Sequence, residues 1–364
     1  MNIDISDNIL EQVKTAFDKK SPLRISAGQS KSFYGNHVNG DIISTAEHTG
    51  IITYQPSELV VTVRSGTLLS ELEAELKTNK QMLAFEPPQH SANSTIGGAI
   101  ACGLSGPRRM ACGAARDFVL GTTIINGKAE KLRFGGQVMK NVAGYDASRL
   151  MVGAQGTLGL LLDLSIKILP MSDAEVTLQF KTELIIAVQH IRQWIKQGLP
   201  ITASCYTDNT LTLRLSSTTS AVNTSAKTIQ KLFASEEISN DFWLSIKNQS
   251  HDFFAANNLT ESQQLWRCSH QTNTPIYNAG INNNTDNQLI EWNGALRWIK
   301  SNQTLYDEAE KHNGHATLYP INQNNKHNNL FQPLQPGLMK IHQRMKRAFD
   351  PENILNAGRL YADL

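Results

Sequence analysis

The chain is poor in cysteine, nearly balanced in charge and without a long apolar run. Only four of its 364 residues are cysteines, and none belongs to a Cys-x-x-Cys pair, so we expect no iron–sulphur or zinc site made by this chain alone. The net charge of +2 gives no electrostatic case for nucleic acid as a partner. No apolar run approaches the roughly 18 residues that span a bilayer.

The beginning of the chain and the positions of its polar residues predict that a signal peptide and a metal site are absent. The segment MNIDISDNIL carries two aspartates and no basic stretch, which disfavours a secretory signal peptide. We therefore expect a cytoplasmic protein with reduced thiols, in contact with a membrane only indirectly, at its inner face through partners. No His, Asp or Glu cluster has the spacing of metal ligands, so no metal site is expected.

Two common nucleotide-binding motifs are also missing. The Walker pattern GxxxxGK[ST] is absent, and no GxGxxG connects a strand to a helix. A phosphate-binding Walker loop is therefore excluded, and a Rossmann-type NAD site is disfavoured.

The remaining pattern divides near Pro170. Before it, the buried strand LVVTV, a helix capped by Thr67 and a hairpin at Asn126–Gly127 predict an α+β domain rich in glycine turns. After it, hairpins at Asp208–Asn209 and Asn293–Gly294 alternate with helices, which predicts an antiparallel sheet with helices on one face.

Two predictions concern helix ends and helix faces near the C-terminus. Gly314 is placed to follow the helix in TLYDEAEKHNG as its C′ residue. A last helix would carry Leu338, Ile341, Met345 and Phe349 along one apolar face.

Two stretches of small residues call for an explanation. RISAGQS, residues 24–30, ends a strand in Ala–Gly, and such a turn can direct consecutive N–H groups at one anion, although a simple turn would also account for it. NSTIGGAIACG, residues 93–103, is unfavourable as a helix because it contains three glycines. A tight helix–sheet contact and a ligand on the backbone are both open for it, and the two stretches together favour the ligand.

These stretches also carry a family resemblance. PLRISAGQS, PPQHSANSTIGGAIACGLSGPRR, RDFVLGTTIING, FGGQVMKNVAGYD and DPENILNAGRLY together resemble the vanillyl-alcohol-oxidase type of FAD-binding proteins. The chain is similar over nearly its whole length to the FAD-binding subunit of bacterial glycolate oxidases. The resemblance implies an α+β fold with a two-subdomain PCMH-type FAD-binding domain at 1–172, an antiparallel, ferredoxin-like α+β cap domain at 173–332, and a C-terminal segment, 333–364, that returns to the FAD domain.

The resemblance also implies where FAD would lie. Two loops would hold the pyrophosphate through backbone N–H groups, and other residues would line the ribityl chain, the adenosine half or the isoalloxazine. Because position 29 is Gln where members with a covalent flavin have His, FAD is expected to be non-covalent. The implied cofactor-binding residues are Ala27, Gly28, Gln29, Ser30, Ser94, Thr95, Ile96, Gly97, Gly98, Ser105, Arg108, Asp117, Val119, Gly153, Gly156, Gly159, Ile166 and Asn356.

Oxidation of a 2-hydroxy acid needs a base for the hydroxyl proton and a cation for the carboxylate. His315 is the first candidate for the base, with His312 and His90 behind it, and each could instead be structural. Arg267 and Arg297 are candidates for the carboxylate, although each could simply pack on the neighbouring Trp266 or Trp298.

Three functions follow from the resemblance. The first is an FAD-binding subunit of a multi-subunit glycolate (2-hydroxy acid) oxidase or dehydrogenase, which passes electrons to a larger paralogous FAD flavoprotein and an iron–sulphur subunit. The second is a structural or electron-relay FAD subunit without substrate turnover of its own. The third is a self-sufficient flavin dehydrogenase of the D-lactate type.

Overall fold

The computed structural model describes residues 2–136, 146–260, 262–275, 287–320 and 329–364. Most of the motif FGGQVMKNVAGYD, residues 137–145, lies outside these ranges. The chain forms two compact units: Met1–Leu104, Ala114–Pro170 and Gln323–Leu364 make the first, and Ser105–Gly113 with Met171–Asn322 make the second. The boundaries expected from the sequence, 1–172, 173–332 and 333–364, differ from this division at residues 105–113 and 323–332 and by two residues at 171–172.

The first unit is built on a five-stranded antiparallel sheet in the order β3-β4-β8-β6-β7. Its most buried strand is central, as the apolar run LGLLLDLSIK favours. The strands are β3 (Ile51–Gln55), β4 (Val60–Arg64), β6 (Val119–Ile125), β7 (Lys131–Gly135) and β8 (Leu160–Lys167).

A second, smaller sheet holds the beginning and the end of this unit together. Strands β1 (Leu23–Ser26) and β2 (Asp41–Ser44) are parallel, and Leu23 also bridges to Leu355. Helix α1 (Ser6–Lys19) packs Ile9 and Val13 into the same core as Leu355. The C-terminal residues are therefore part of the core of the first unit. Strands β5 (Gln81–Met82) and β9 (Leu169–Pro170) form a further antiparallel pair.

The helices of the first unit are short, apart from the first and the last. The prediction that Thr67 caps a helix is wrong, because Leu68 occupies the N-cap position of α2 and the Thr67 hydroxyl accepts the backbone N–H of Gly50 at 2.9 Å. The remaining helices are α2 (Leu69–Thr78), α3 (Ile96–Cys102), α5 (Ala115–Phe118), α6 (Ala147–Leu150) and α11 (Pro336–Phe349).

The second unit begins with a ferredoxin-like βαββαβ motif. Its first four strands take the order β13-β10-β12-β11, the fourth-first-third-second arrangement of that motif. The turn at Asp208–Asn209 has positive φ at both residues, as the predicted hairpin requires. The elements are β10 (Ala174–Lys181), α7 (Leu184–Lys196), β11 (Ile201–Thr207), β12 (Thr210–Ser217), α8 (Thr219–Gln230) and β13 (Glu236–Ile238).

The same strand order recurs in the second half of this unit. Strands β14 to β17 run β15-β16-β14-β17, which is again fourth-first-third-second when read from β17. The halves join where β11 pairs antiparallel with β15, so one eight-stranded sheet contains the motif's strand order twice. The elements are α9 (Asp241–Lys247), β14 (Gln264–Ser269), β15 (Gln288–Glu291), β16 (Leu296–Ser301), α10 (Tyr306–Lys311) and β17 (His315–Leu318).

Residues 105–113 contribute helix α4 (Arg109–Cys112) to the second unit. Trp292 lies between β15 and β16, and its indole Nε1 donates to the carbonyl of Gly106 at 3.0 Å. This buried hydrogen bond fixes the segment that precedes α4, because a buried indole N–H needs a partner.

Two sequence predictions near the C-terminus need correction. Asn313, not Gly314, takes the left-handed C′ position after α10, with φ of 53°, and both residues donate to the last turn in a Schellman arrangement. Leu338 and Ile341 on α11 are exposed rather than packed as a core face. No helix in the described ranges is long and apolar enough to cross a membrane.

Candidate functional site

Residues 27–31, which follow β1, present their backbone N–H groups to no described partner. None of these five amides donates a hydrogen bond within the described part of the chain. Gln29 has a φ of 52°, a left-handed conformation that turns the chain sharply at this point. Successive free amides in such a turn form a concave site for an anion.

Arg359 holds this loop from the opposite side. Its guanidinium donates to the backbone carbonyls of Lys31, Ser32, Tyr34 and Asn36 at 2.7–3.4 Å. Of these carbonyls only that of Lys31 belongs to residues 27–31, so Arg359 mainly holds the segment that follows the loop and leaves the loop amides unoccupied. Sequence reasoning missed Arg359, although it belongs to the quoted motif DPENILNAGRLY.

The stretch 94–98 uses most of its amides within the protein. Ile96 donates to the carbonyl of Thr67 at 3.0 Å, and Gly97 donates to that of Ser65 at 2.8 Å. Thr95 is the N-cap of α3, and its hydroxyl accepts the Gly98 amide at 3.2 Å. These three amides are therefore already paired, unlike those of the first loop.

Gly97 is small because another part of the protein lies against it. A Cβ at this position would come within 2.6 Å of the Ser65 Cβ and 2.7 Å of its carbonyl oxygen. The tight helix–sheet contact considered from the sequence therefore explains Gly97. A Cβ on Gly28 would likewise overlap the carbonyl oxygen of Asn93, so the two stretches touch each other.

Gly98 and Gly153 differ from those packing glycines. Among the described residues, a Cβ on Gly98 would have only the Thr95 hydroxyl within 4 Å, at 3.2 Å, and a Cβ on Gly153 would have no neighbour within that distance. The two loops also meet through Ser94, whose hydroxyl donates to that of Ser30 at 3.0 Å. The open glycines are the ones that leave room for a ligand beside the backbone.

Asn356 connects three parts of the first unit. Its side-chain oxygen accepts the amide of Ile25 at 2.8 Å, and its NH₂ donates to the carbonyl of Gln155 at 2.7 Å. Gly156 and Gly159 are packing glycines here, since a Cβ on either would press against Asn356 or Ile124. Asn356 thus positions both β1 and the loop 153–159.

Three other residues are expected beside the adenosine half of FAD. Val119 lies on β6, Ile166 lies on β8, and Asp117 lies just before β6. Val119 and Ile166 are fully buried cross-strand partners of those two strands. Asp117 is exposed and accepts the Ala114 amide at 2.8 Å, which caps its own short helix. The side chains of Val119 and Ile166 are therefore part of the sheet core.

Lys31 and His90 lie close together in the first unit. Burial, together with the positive charge of Lys31, lowers the pKa of His90 to about 4, so this imidazole is neutral at pH 7. Phe33 contacts the His90 ring edge to face, with the centroids 5.3 Å apart. Burial lowers the pKa of Lys31 as well.

Ser105 and Arg108 belong to the second unit. The Arg108 guanidinium forms an ion pair with Glu175 at 2.8 Å. Burial alone would raise the pKa of Glu175, but Arg214, Ser216 and Arg108 together hold it below its ordinary value. This buried ion pair gives Arg108 a structural partner in place of the expected phosphate.

A cationic and aromatic cluster in the second unit contains two of the predicted catalytic residues. Arg267 on β14 is 8% exposed, and its guanidinium lies 5.1 Å from the Trp292 ring centre. Arg109 lies over the same ring at 4.3 Å. Partial desolvation, with the charges of Arg267 and Arg109, lowers the pKa of His315. A neutral imidazole beside two guanidiniums can accept a proton while the cations hold a carboxylate.

Within the described residues Arg267 has no hydrogen-bond or ion-pair partner. It contacts aromatic rings only, including Trp298 at 5.8 Å. A guanidinium so deeply buried normally pairs with an anion, so Arg267 is the group in this cluster that calls for a ligand. The sequence indicated Arg267 but gave no reason to join Arg109 to it.

Arg297 does not fit the role predicted for it. It is 1% exposed, and its guanidinium donates to the carbonyls of Gly294, Pro275 and Thr274 at 2.7–3.3 Å. These bonds fasten a loop to β16 and leave the side chain without access to a substrate. His312 forms an i,i+4 contact with Glu308 at 3.4 Å at the end of α10.

Comparisons with known proteins identify the family of the chain. Residues 6–135 match the family model of the FAD binding domain. The glycolate oxidase subunit GlcE of Escherichia coli (strain K12) is 42% identical over 99% of both chains. The chain belongs to the GlcE family of glycolate oxidase subunits. It is therefore an FAD-binding protein of the oxidoreductase class.

More distant relatives share part of the chain or only its fold. A D-lactate dehydrogenase of Anaerostipes hadrus is 30% identical over 48% of this chain and 36% of its own length. Two solved structures of alkyldihydroxyacetonephosphate synthase superpose with a TM-score of 0.66 at 15% identity, over 96% of this chain and 74% to 75% of theirs. The chain accordingly has the α+β fold with a PCMH-type FAD-binding domain and a ferredoxin-like domain.

The residues present suit FAD as the bound group. Its two phosphates need hydrogen-bond donors, and the amides of residues 27–31 are free donors in one concave turn. The open backbone at Gly98 and Gly153 leaves further space for a ligand in the same unit. The described residues contain no group of three or more His, Cys, Asp or Glu that could hold a metal ion.

Proposed function

We propose that this chain is the FAD-binding subunit of a multi-subunit glycolate (2-hydroxy acid) oxidase or dehydrogenase, with FAD held non-covalently at the loop 27–31. The observation that carries the proposal is the run of five amides in that loop that have no partner among the described residues. Arg359 donates to the Lys31 carbonyl at the end of the loop. A pyrophosphate supplies the acceptors that these donors lack.

A non-covalent flavin follows from the side chains at the loop. Position 29 is Gln, which is exposed and has no nucleophilic atom to attach to the isoalloxazine. The neighbouring Ser30 accepts a hydrogen bond from Ser94. We propose that the cofactor is kept by its phosphates and by the shape of the open glycine surface.

We further propose that Arg267 and Arg109 bind the substrate carboxylate and that His315 takes the hydroxyl proton. Two guanidiniums around one indole provide a planar, charged contact suited to a small carboxylate. Desolvation, together with the charges of Arg267 and Arg109, lowers the pKa of His315, so the imidazole is neutral and able to accept a proton. FAD, when bound, supplies the two-electron acceptor.

Electrons would leave through partners, a larger paralogous FAD flavoprotein and an iron–sulphur subunit. The chain's four cysteines are free thiols, and two of them, Cys205 and Cys268, are buried. A relay subunit without turnover of its own is the second candidate. It is favoured by the structural use of Arg297, which removes one of the two arginines expected to bind the carboxylate.

The purified full chain distinguishes these functions. We expect a flavin spectrum, and bleaching on anaerobic addition of glycolate if the chain oxidises it. Arg267→Met should retain FAD and slow the bleaching by about 100-fold, because a charge-assisted contact is lost. Arg344→Met, on the exposed side of α11, is the matched control.

Each other outcome rejects one part of the proposal. A flavin that stays oxidised in the wild type supports the relay function over turnover. Unchanged bleaching in Arg267→Met would remove Arg267 from substrate binding. A folded wild-type chain that takes up no FAD would contradict the proposed site.

A further inference from the structure

Lys31 is a buried cation without a partner in the loop of free amides. The residue is 6% exposed, and its Nζ has no hydrogen-bond partner among the described residues. No described carboxylate forms an ion pair with it. A buried ammonium that is left unpaired costs several kcal/mol, which is why burial lowers the pKa of Lys31, and a negative charge beside it would remove that cost.

The groups around Lys31 do not supply that charge. His90 is neutral at pH 7, and burial raises the pKa of the Cys102 thiol, which keeps it protonated. The Arg359 guanidinium is itself positive and is committed to the loop carbonyls. The described groups around Lys31 are therefore neutral or positive, and an anion that pairs with its ammonium would come from a ligand.

We propose that Lys31 binds the pyrophosphate of FAD and neutralises part of its charge. This assignment rests on the FAD site proposed above and extends it, since the loop was expected to bind phosphate through backbone amides alone. Lys31 ends the same run of free amides, so its ammonium and the N–H groups can act on one anion.

The pyrophosphate is a better partner than the isoalloxazine ring. The oxidised ring carries no net charge, whereas the two phosphates are negative in every redox state of the flavin. Only a permanent anion compensates a buried ammonium in the resting protein. Lys31 should therefore change how tightly FAD binds and leave the flavin reduction potential unaltered.

The experiment compares FAD with riboflavin, which has the ring and no phosphate. The flavin is removed from the full chain, and the Kd of each ligand is measured by quenching of flavin fluorescence. Lys31→Met should weaken FAD by about 10- to 100-fold, the range of one charge-assisted hydrogen bond, and riboflavin by less than about 3-fold. Lys31→Arg should retain most of the FAD affinity. Lys14→Met, an exposed lysine on α1, should bind FAD as the wild type does.

The two ligands also separate the ways in which the proposal fails. An equal loss for FAD and riboflavin, or a changed reduction potential, would place Lys31 against the ring or make it merely structural. Unaltered FAD affinity in Lys31→Met overturns the assignment and leaves the FAD site intact. A folded wild-type chain that binds neither ligand overturns the site itself. If Lys31→Met does not fold by circular dichroism, the FAD-to-riboflavin ratio in Lys31→Gln decides in the same way.

Discussion

The stretches 27–31 and 94–98 look alike in the sequence but use their backbones differently. Both are rich in small residues, and they touch each other through Gly28 and Asn93 and through Ser30 and Ser94. The first leaves five amides without a partner among the described residues. In the second, the amides of Ile96, Gly97 and Gly98 donate hydrogen bonds to other groups of the protein. A small-residue stretch thus shows that something approaches the backbone closely, and the hydrogen bonds show whether it is protein or ligand.

This difference gives the two stretches separate tasks. The stretch 94–98 is fixed at the start of α3 by hydrogen bonds to Ser65 and Thr67, which follow β4. The loop 27–31 contacts this stretch and keeps its amides available, while Arg359 binds the carbonyls of Lys31 and of residues just after it. Four substitutions probe this division.

Gly97→Val should lower the free energy of unfolding by about 3 kcal/mol or more, because its side chain would overlap the Ser65 backbone. Chemical denaturation of the flavin-free chain measures this directly. FAD would be lost as a consequence of the damaged fold. A Gly97→Val chain of wild-type stability that still fails to bind FAD would show that Gly97 contacts the ligand. The two stretches would then not differ in the way described.

Arg359→Met should lower the unfolding free energy by about 2–3 kcal/mol and weaken FAD binding, since part-buried carbonyls of the loop lose their donor. Denaturation and flavin titration give the two numbers. Arg347→Met on the exposed side of α11 serves as the control and should change neither. Full FAD affinity in Arg359→Met would mean that the loop keeps its shape without this support.

Gly98→Ala should separate ligand contact from packing. Removing a glycine from a helix stabilises it by about 0.5–1 kcal/mol, and the new Cβ meets only the Thr95 hydroxyl. Because the methyl group would occupy the open surface, the Kd for FAD should rise about 10-fold while thermal stability holds or increases. A stable Gly98→Ala chain with wild-type FAD affinity would show that the ligand does not touch α3 here.

The smallest effect is expected for His90, and it concerns how the free energy of unfolding depends on pH. Its pKa is about 4 in the folded protein and about 6.5 in an unfolded chain, so the unfolded state binds more protons between these values. Its contribution to stability is therefore present above about pH 6.5 and is lost as the pH falls toward 4. Because His90 is only partly buried, we expect a loss of about 1 kcal/mol. The unfolding free energy of His90→Gln should fall less steeply over this range than that of the wild type.

Other histidines with lowered pKa values do not disturb this comparison. His270 has a pKa of about 4 for the same reason, burial, and contributes equally to both proteins. Identical pH slopes in wild type and His90→Gln would mean that His90 titrates normally. In that case the positive charge of Lys31 would have no measurable effect on the pKa of His90.

Local signals in the sequence predicted much of the fold. The hairpin at Asp208–Asn209 formed as expected because both residues tolerate positive φ. The buried runs in β4 and β8 formed neighbouring strands of one sheet. The pairing of β11 with β15, which doubles the ferredoxin-like order, was not predicted, because it joins residues about 85 positions apart without a local signal.

The candidate site was predicted less completely than the fold. The loop at 27–30 was recognisable from its small residues, but the orphaned ammonium of Lys31 depends on burial, which the sequence does not reveal. Arg297 was expected at the substrate because it is an arginine next to tryptophan. Its actual partners are three carbonyls, two of which lie more than 20 residues away along the chain. Whether a guanidinium meets substrate or backbone depends on the loops that fold over it.

The support that Arg359 gives to the loop also affects when the loop can reach its final shape during protein synthesis. Its partner Lys31 is 328 residues earlier in the chain, so a ribosome makes the loop long before it makes the residue that shapes it. The amino-terminal part of such a protein emerges first and begins to fold during synthesis. The proposed flavin site therefore stays incomplete until Arg359 has been made, and a chain that stalls or is cut before Arg359 lacks this support for the loop. Acquisition of the yellow colour would then report that synthesis had passed Arg359.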